Sequence, residues 1–260
     1  QMIQIAYLNR PHIASKYIDY IKENTDWKII FYGHDLHFLR LQREYALKPR
    51  PELLEEIAYF KSMELSVLQK ADISYYPSNL EVEEIHKIDD SIPVKAITAY
   101  VFSDSVQVEK MTEGREGMLF VGGFAHPPNV DGVLWFAKEI FPLMRRQLPN
   151  ISFRIVGSKP TEKVLALGQQ EGIEVLGFVS DEKLHSLYQE SRMVIVPLRY
   201  GAGVKGKVVE ALHEGAAILT TPCGAEGIPG IEEVVAIEGE EREFAKTGAL
   251  LYQNIPKLRE

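Results

Sequence analysis

Two periods alternate along the chain. Short β-branched runs with strand-like spacing are separated by longer stretches in which apolar residues recur every three to four positions. Residues 3–9 (IQIAYLN) predict an interior strand, a helix follows Pro11 and ends near Asn24, and residues 28–33 (KIIFYG) predict the next strand. After a loop at 49–51, the stripe Leu53, Leu54, Ile57, Phe60, Leu65 and Leu68 predicts a helix over 52–70. Residues 71–78 read as a strand, 79–87 as a helix capped by Ser78 or Asn79, and 94–102 as a further extended segment. Residues 103–117 turn polar and charged, which places a boundary between two lobes, 1–112 and 113–260. One long surface loop is the alternative.

The second half alternates more sharply. Strands are expected at 119–123, 151–158, 173–179, 193–198, 216–222 and 232–238, with helices near 130–148, 161–170, 181–191, 207–214 and 241–251. Repeated βα units predict the α/β class with doubly wound parallel sheets, whose ligands sit beyond the carboxyl ends of the strands. On that logic Gly122, Gly123, Gly157, Phe178, Val179 and the loop from Gly201 share one rim although they are far apart in sequence. Gly122 and Gly123 are followed by FAHPPN and not by a compact GxGxxG turn, so NAD and FAD are not expected.

The densest chemistry lies in residues 201–215, GAGVKGKVVEALHEG. A buried strand leads through Gly201, Ala202, Gly203, Val204 and Lys205 into a helix that opens near Lys207. Glycines let backbone N–H groups approach a ligand, the helix start adds unpaired donors, and Lys205 and Lys207 add full charges, so a phosphate or diphosphate suits the turn. Glu210, three residues beyond Lys207, is placed to accept hydrogen bonds from hydroxyls on the same ligand. The alternative is an ordinary α/β turn with solvated lysines. A second group, HDLH, sets His34, Asp35 and His37 at a strand-to-helix transition, with Arg40, Arg43 and Glu44 beyond it. It reads as cleft hydrogen bonding or as helix-start capping with surface arginines; the separated third and fourth ligands of a zinc motif are lacking, and no metal is expected.

Charge and cysteine content narrow the partners. With 29 Lys and Arg against 37 Asp and Glu, a formal charge of -8 argues against a broad nucleic-acid surface while leaving room for a local basic pocket. Cys223 is the single cysteine, which excludes an internal disulfide. It is expected as a small loop residue, since no base and orienter can be assigned to make it a nucleophile. No apolar run reaches the roughly 18 residues of a membrane span and no secretory leader is recognised, so a cytoplasmic protein is expected, with peripheral contact at the inner face of a membrane left open.

The segment GAGVKGKVVEALHEGAAILTTPCGAEG, preceded in order by LFVGGFAHPPNVDGVLWFAKEIFP, FRIVGSKP, VLGFVSD and VIVPLRYGAG, resembles the nucleotide-sugar signature of the retaining group 1, or family 4, glycosyltransferases of the GT-B fold. The resemblance implies two doubly wound Rossmann-like lobes, of which 1–112 is a partial acceptor-side lobe and 113–260 the nucleotide-sugar lobe. In that family several strand and helix units precede a segment like RPHIASKYIDYIKE, so the chain enters its first lobe halfway, and weak nucleotide binding or slow catalysis is expected of this chain alone. The implied reaction is retaining transfer of a sugar from a UDP- or GDP-linked donor, with no cofactor, to a saccharide or lipid-linked saccharide. Lys205 and Lys207 would neutralise the diphosphate, Glu210 would hold the ribose, the backbone at Phe178 and Val179 would face the base, and Gly122 and Gly123 would admit the phosphates. HDLHFLRLQRE resembles a cleft-facing first-lobe segment, which makes His34 and Asp35 acceptor-side candidates. Ala202 departs from the pattern, standing where many relatives carry a second glutamate that touches the donor sugar. The alternatives are a catalytically weak or inactive nucleotide-sugar-binding or structural protein, and a nucleotide-sugar epimerase. Nothing in the sequence sets the oligomeric state.

Overall fold

The computed structural model describes residues 4–102 and 114–254. The expected lobe boundary at 112/113 and Ile3 of the first expected strand lie outside them. The chain forms two compact units: unit 1 comprises Gln1–Val101 with the segments Tyr200–Val204 and Glu226–Ile228, and unit 2 comprises Phe102–Arg199, Lys205–Ala225 and Pro229–Glu260. Among the described residues no helix is long and apolar enough to cross a membrane.

Unit 1 runs β1 (Ile5–Asn9), α1 (Pro11–Asn24), β2 (Lys28–Tyr32), α2 (His37–Leu47), α3 (Pro51–Lys70), β3 (Ile73–Tyr76), α4 (Asn79–His86) and β4 (Val94–Ala96). The four strands pair in parallel in the order β1-β2-β3-β4. Prolines open α1 and α3, where a missing N–H costs nothing and a fixed φ favours the helix. Ile18, Phe31, Leu68, Tyr76 and Ile85 form the centre of the core. Two expectations change here. The stripe of α3 includes the fully buried Glu64, whereas Leu54 is half exposed, because Glu64 is drawn inward to serve backbone donors of α2. The extended segment pairs only as far as Ala96, and Ile97, Tyr100 and Val101 are exposed.

Unit 2 runs β5 (Met118–Val121), α5 (Pro127–Trp135), a π-helical turn (Phe136–Ile140), α6 (Phe141–Gln147), β6 (Phe153–Val156), α7 (Glu162–Leu165) with a 3-10 turn (Ala166–Gln169), β7 (Ile173–Gly177) and α8 (Asp181–Glu190). It continues with β8 (Met193–Val196), α9 (Gly206–His213), β9 (Ala217–Thr220), α10 (Pro222–Ala225), a 3-10 turn (Ile231–Glu233), β10 (Ala236–Ile237) and α11 (Glu241–Gln253). All six strands are parallel, in the order β10-β9-β8-β5-β6-β7. Read from β7, this is the 3-2-1-4-5-6 winding of dinucleotide-type sheets, with its topological switch point between β5 and β8.

The helix expected over 130–148 begins earlier, at Pro127, and is interrupted where the Phe141 N–H bonds to Phe136 O, just before Pro142 removes a donor. Phe136 nevertheless packs at 4.7 Å from Phe153 and 6.2 Å from Phe141, centroid to centroid, so the interruption sits inside the core. The strand expected at 216–222 stops at Thr220 because Pro222 opens α10, and this sets Cys223 on a helical turn instead of a loop. The strand expected at 232–238 shrinks to Ala236–Ile237.

Candidate active site

The switch point of unit 2 is closed by three contacts. Gly157, at the end of β6, lies so near β5 that a Cβ there would stand 1.9 Å from Gly122 O. A Cβ on Gly122 would stand 2.5 Å from Lys207 Nζ. Gly157 therefore requires glycine, because its close neighbour is backbone, whereas the neighbours of Gly122 are the movable ends of Lys207 and Asn129. From the other side of the switch point, α5 packs so closely on the loop after β8 that a Cβ on Gly132 would meet Pro197 O at 2.6 Å.

Lys207 occupies the first turn of α9, and its Nζ donates to Asn129 Oδ1 at 2.6 Å in the first turn of α5. Asn129 Nδ2 in turn donates to Gly123 O at 2.7 Å, so one amide orients both the lysine and the β5 loop. The ammonium also stands 4.6 Å from the centroid of Phe120. Burial pushes the Lys207 pKa down to about 7; Glu210 works against the shift and Lys205 reinforces it. Lys205, buried at the start of α9, accepts the Val208 N–H on its carbonyl at 2.8 Å.

The same junction is braced by Arg199, which donates to both carboxylate oxygens of buried Asp131 at 2.8 and 2.6 Å and lies over Trp135. Glu210 is exposed on α9. There it borders a cavity of about 280 Å³ with Asp181, Leu184 and Tyr188 of α8 and with His213. Phe102 stacks on His213 at 4.0 Å. Phe178 is 78 % exposed and Val179 half-buried just past β7, whose Gly177 O accepts the Gly157 N–H at 2.8 Å. Unit 2 thus brings Gly122, Gly123, Gly157 and Lys207 together, with Phe178 and Val179 following the neighbouring strand end.

Gly201, Ala202, Gly203 and Val204 belong to unit 1. A Cβ on Gly203 would lie 2.8 Å from His34 O and 3.3 Å from Asp35 Cβ, so this loop rests on the segment between β2 and α2. Arg43, expected as a cleft or surface arginine, donates to Gly201 O at 2.6 Å and pairs with Glu226 at 2.5 Å. Arg40 pairs with Asp35 at 3.2 Å, and Glu44 pairs with Arg50.

The start of α2 is capped from outside the HDLH run. Glu64 accepts from the His37 and Phe38 N–H groups at 2.9 and 3.1 Å, and Glu81 accepts from the Leu36 N–H at 3.2 Å. His37 Nδ1 also bonds Glu64 at 2.9 Å; burial opposes its charge, but that bond and Asp35 outweigh it and raise the pKa. His34 is exposed and edge-on to Tyr32 at 4.9 Å. Its pKa is lowered by partial burial and by Arg10, against the pull of Asp35.

Asn129, the Asp131–Arg199 pair, Glu64 and Glu81 are absent from the sequence reading. The first had a signal: two prolines, Pro127 and Pro128, fix a helix start and put the following asparagine in its first turn. The two glutamates had none, since an acidic residue on an apolar stripe looks like a surface interruption.

The profile described as "Glycosyl transferases group 1" matches residues 115–254, which cover the whole described part of this switch-point sheet. The chain belongs to the group 1 glycosyltransferases. A curated relative, the "Uncharacterized 44.6 kDa protein in cps region" of Klebsiella pneumoniae, is 29% identical over 150 residues, 55% of this chain and 39% of that protein. Among solved structures, a mutant of S. aureus TarM in complex with Fondaparinux, alpha-GlcNAc-glycerol and UDP aligns with a TM-score of 0.66 at 12% identity, over 92% of this chain and 47% of that one. The pneumococcal O-GlcNAc transferase GtfA in complex with UDP and GlcNAc aligns with a TM-score of 0.65 at 13% identity, over 99% and 52%. The UDP-forming trehalose-phosphate synthase of Burkholderia xenovorans aligns with a TM-score of 0.64 at 12% identity, over 98% and 69%. These likenesses establish two parallel α/β units of the GT-B type. This group 1 glycosyltransferase chain spans about two-fifths of the length of the curated relative it matches.

Proposed function

We propose that this chain serves a retaining glycosyl transfer from a nucleoside diphosphate sugar to a saccharide or lipid-linked saccharide hydroxyl. The observation that carries the reading is Lys207, whose ammonium is enclosed at the switch point beside a glycine and oriented by Asn129. The diphosphate seats against Lys207, Lys205 and the first N–H groups of α9, and Gly122 leaves room for the phosphate oxygens. The bond between the anomeric carbon and the phosphate oxygen breaks, and its electron pair leaves with the diphosphate. Lys207 offsets that charge more in the transition state than in the ground state, which is what lowers the barrier. The acceptor hydroxyl forms the new bond to the anomeric carbon and gives up its proton to the departing phosphate oxygen. Retention is the expectation that family membership brings.

Glu210 holds the ribose hydroxyls and the backbone at Phe178 and Val179 faces the base. His34 and Asp35 act on the acceptor side in unit 1. Ala202 leaves the donor sugar to the backbone of Gly201–Val204. UDP in the TarM and GtfA complexes supports a UDP or GDP donor.

Calorimetry with UDP and GDP on the wild type and on Lys207→Met tests the reading. Binding of one nucleotide, weakened roughly tenfold or more by the substitution, is the expected result. Absence of binding to either nucleotide would overturn it. Anomeric NMR of the transfer product tests the stereochemistry separately, and an inverted product would defeat the retaining assignment.

A further inference from the structure

The register of β1 and β2 sets Asn9 beside Tyr32, so the two parallel strands release the chain at one level, Arg10 from the first and Gly33 and His34 from the second. Arg10 adopts φ 58 and ψ 121, a region that L residues avoid and glycine enters freely. The backbone has reason to be there. The turn from β1 into α1 is sharp, and Arg10 O accepts the Ile13 and Ala14 N–H groups at 3.0 and 2.9 Å. Glycine would meet that need at lower cost, so an arginine kept at the position points to a use for its side chain.

The use is not an internal ion pair. The other three arginines among the first 101 residues each hold a carboxylate: Arg40 holds Asp35, Arg43 holds Glu226 and Arg50 holds Glu44. Among the described residues Arg10 has no ion pair and its side chain makes no capping hydrogen bond. Asp35, the carboxylate next in sequence to His34, is taken by Arg40. Tyr7, 60 % exposed, lies three residues before this cation on β1, and Tyr32 stands edge-on to His34, whose imidazole feels the Arg10 charge. Flat rings with a polar edge suit a sugar face, and a guanidinium fork suits a phosphate or carboxylate.

We infer that the acceptor carries an anionic group, a phosphate ester or a uronic carboxylate, and that Arg10 with His34 receives it on the rim of unit 1. The inference rests on the reading of unit 1 as the acceptor side. Arg10 holds His34 toward its neutral form, and an anion seated between them reverses that influence, so His34 takes up charge as the ligand binds.

The test titrates the full chain with glucose, glucose 6-phosphate and glucuronic acid, following the His34 imidazole by NMR, for the wild type, Arg10→Gly and Arg10→Asn. At least one anionic sugar is expected to bind roughly tenfold or more tightly than glucose, and that preference is expected to shrink to about twofold in both variants. Whether glucose 6-phosphate or glucuronic acid holds the advantage identifies the phosphate or the carboxylate as the group recognised. A melting temperature at or above the wild type is expected for Arg10→Gly, because glycine enters this region freely, and one close to the wild type for Arg10→Asn. Equal affinity for all three sugars, absence of binding by any of them, or a preference that survives both substitutions would overturn the inference. UDP calorimetry on the same samples keeps the two readings apart: nucleotide binding without anion preference defeats only this inference, and loss of nucleotide binding defeats the donor assignment.

Discussion

Lys207 Nζ and Asn129 Oδ1, 78 residues apart in sequence, meet at 2.6 Å across the switch point of the larger sheet. The bond fixes where the ammonium can act. Asn129→Leu is expected to leave the fold intact while weakening UDP binding roughly tenfold, because one oriented charged hydrogen bond contributes about 1.5–3 kcal/mol. Asn129→Asp should weaken nucleotide binding further, since a carboxylate there competes with the diphosphate for Lys207. Calorimetry reads both, and unchanged affinity in the two variants would remove Asn129 from the site.

Gly122→Ala probes the same geometry from the strand side. The added methyl meets Lys207 Nζ at 2.5 Å and the Asn129 amide at 3.0 Å, both ends of side chains that can shift. The expected outcome is a melting temperature close to the wild type with nucleotide affinity reduced roughly tenfold. A variant that unfolds would show that the glycine serves the fold alone.

The Lys207 contribution to the stability of the nucleotide-free protein should grow as pH rises above neutrality. Lys207 has a folded pKa of about 7, below its unfolded value, so between the two the unfolded chain binds the extra proton and stability climbs with pH. Denaturant melts of the wild type and Lys207→Met from about pH 7 to 10 measure this, and the methionine variant is expected to lose the slope contributed by the lysine. His37 works with the opposite sign. Its pKa is raised by Glu64, so its contribution is present below the unfolded histidine pKa and is lost as pH rises through the folded value. Glu64→Gln should flatten that acid-side dependence.

Arg199→Met isolates the brace beside the site. Asp131 is buried and loses both charged hydrogen bonds, for an expected destabilisation of about 2–3 kcal/mol. Adding Asp131→Leu should recover part of the loss, because the buried carboxylate that Arg199 had compensated is then gone. Chemical denaturation of the single and double variants decides, and additive losses would contradict the pairing.

The parallel α/β class was readable because strand and helix periods alternate cleanly, and the residues from Leu119 to Gly227 carried the family resemblance in order. Gly122, Gly157 and Lys207 could be named because a glycine beside a strand end and a lysine at a helix start have local signatures. The partner of Lys207 could not, since Asn129 gains its role only when β5 and β8 become neighbours. Glu64 shows the same limit. It interrupts an apolar stripe, and only the folded unit reveals that it turns inward to cap the start of α2, whose N–H donors lie 26 and 27 residues upstream. Strand ends were overestimated where a proline or a turn intervenes, as at Pro222 and at Glu232–Glu233 in the last 3-10 turn.

The central claim is that a diphosphate sits on Lys207, and proton uptake on binding tests it most directly. At about pH 8 the free Lys207 is mostly neutral, whereas a bound diphosphate restores its charge, so binding must draw a proton from the buffer. UDP and GDP titrations in two buffers of different ionisation enthalpy should give an uptake approaching one proton per nucleotide bound, absent in Lys207→Met. Nucleotide binding with no proton uptake in the wild type, or the same uptake in Lys207→Met, would contradict the account.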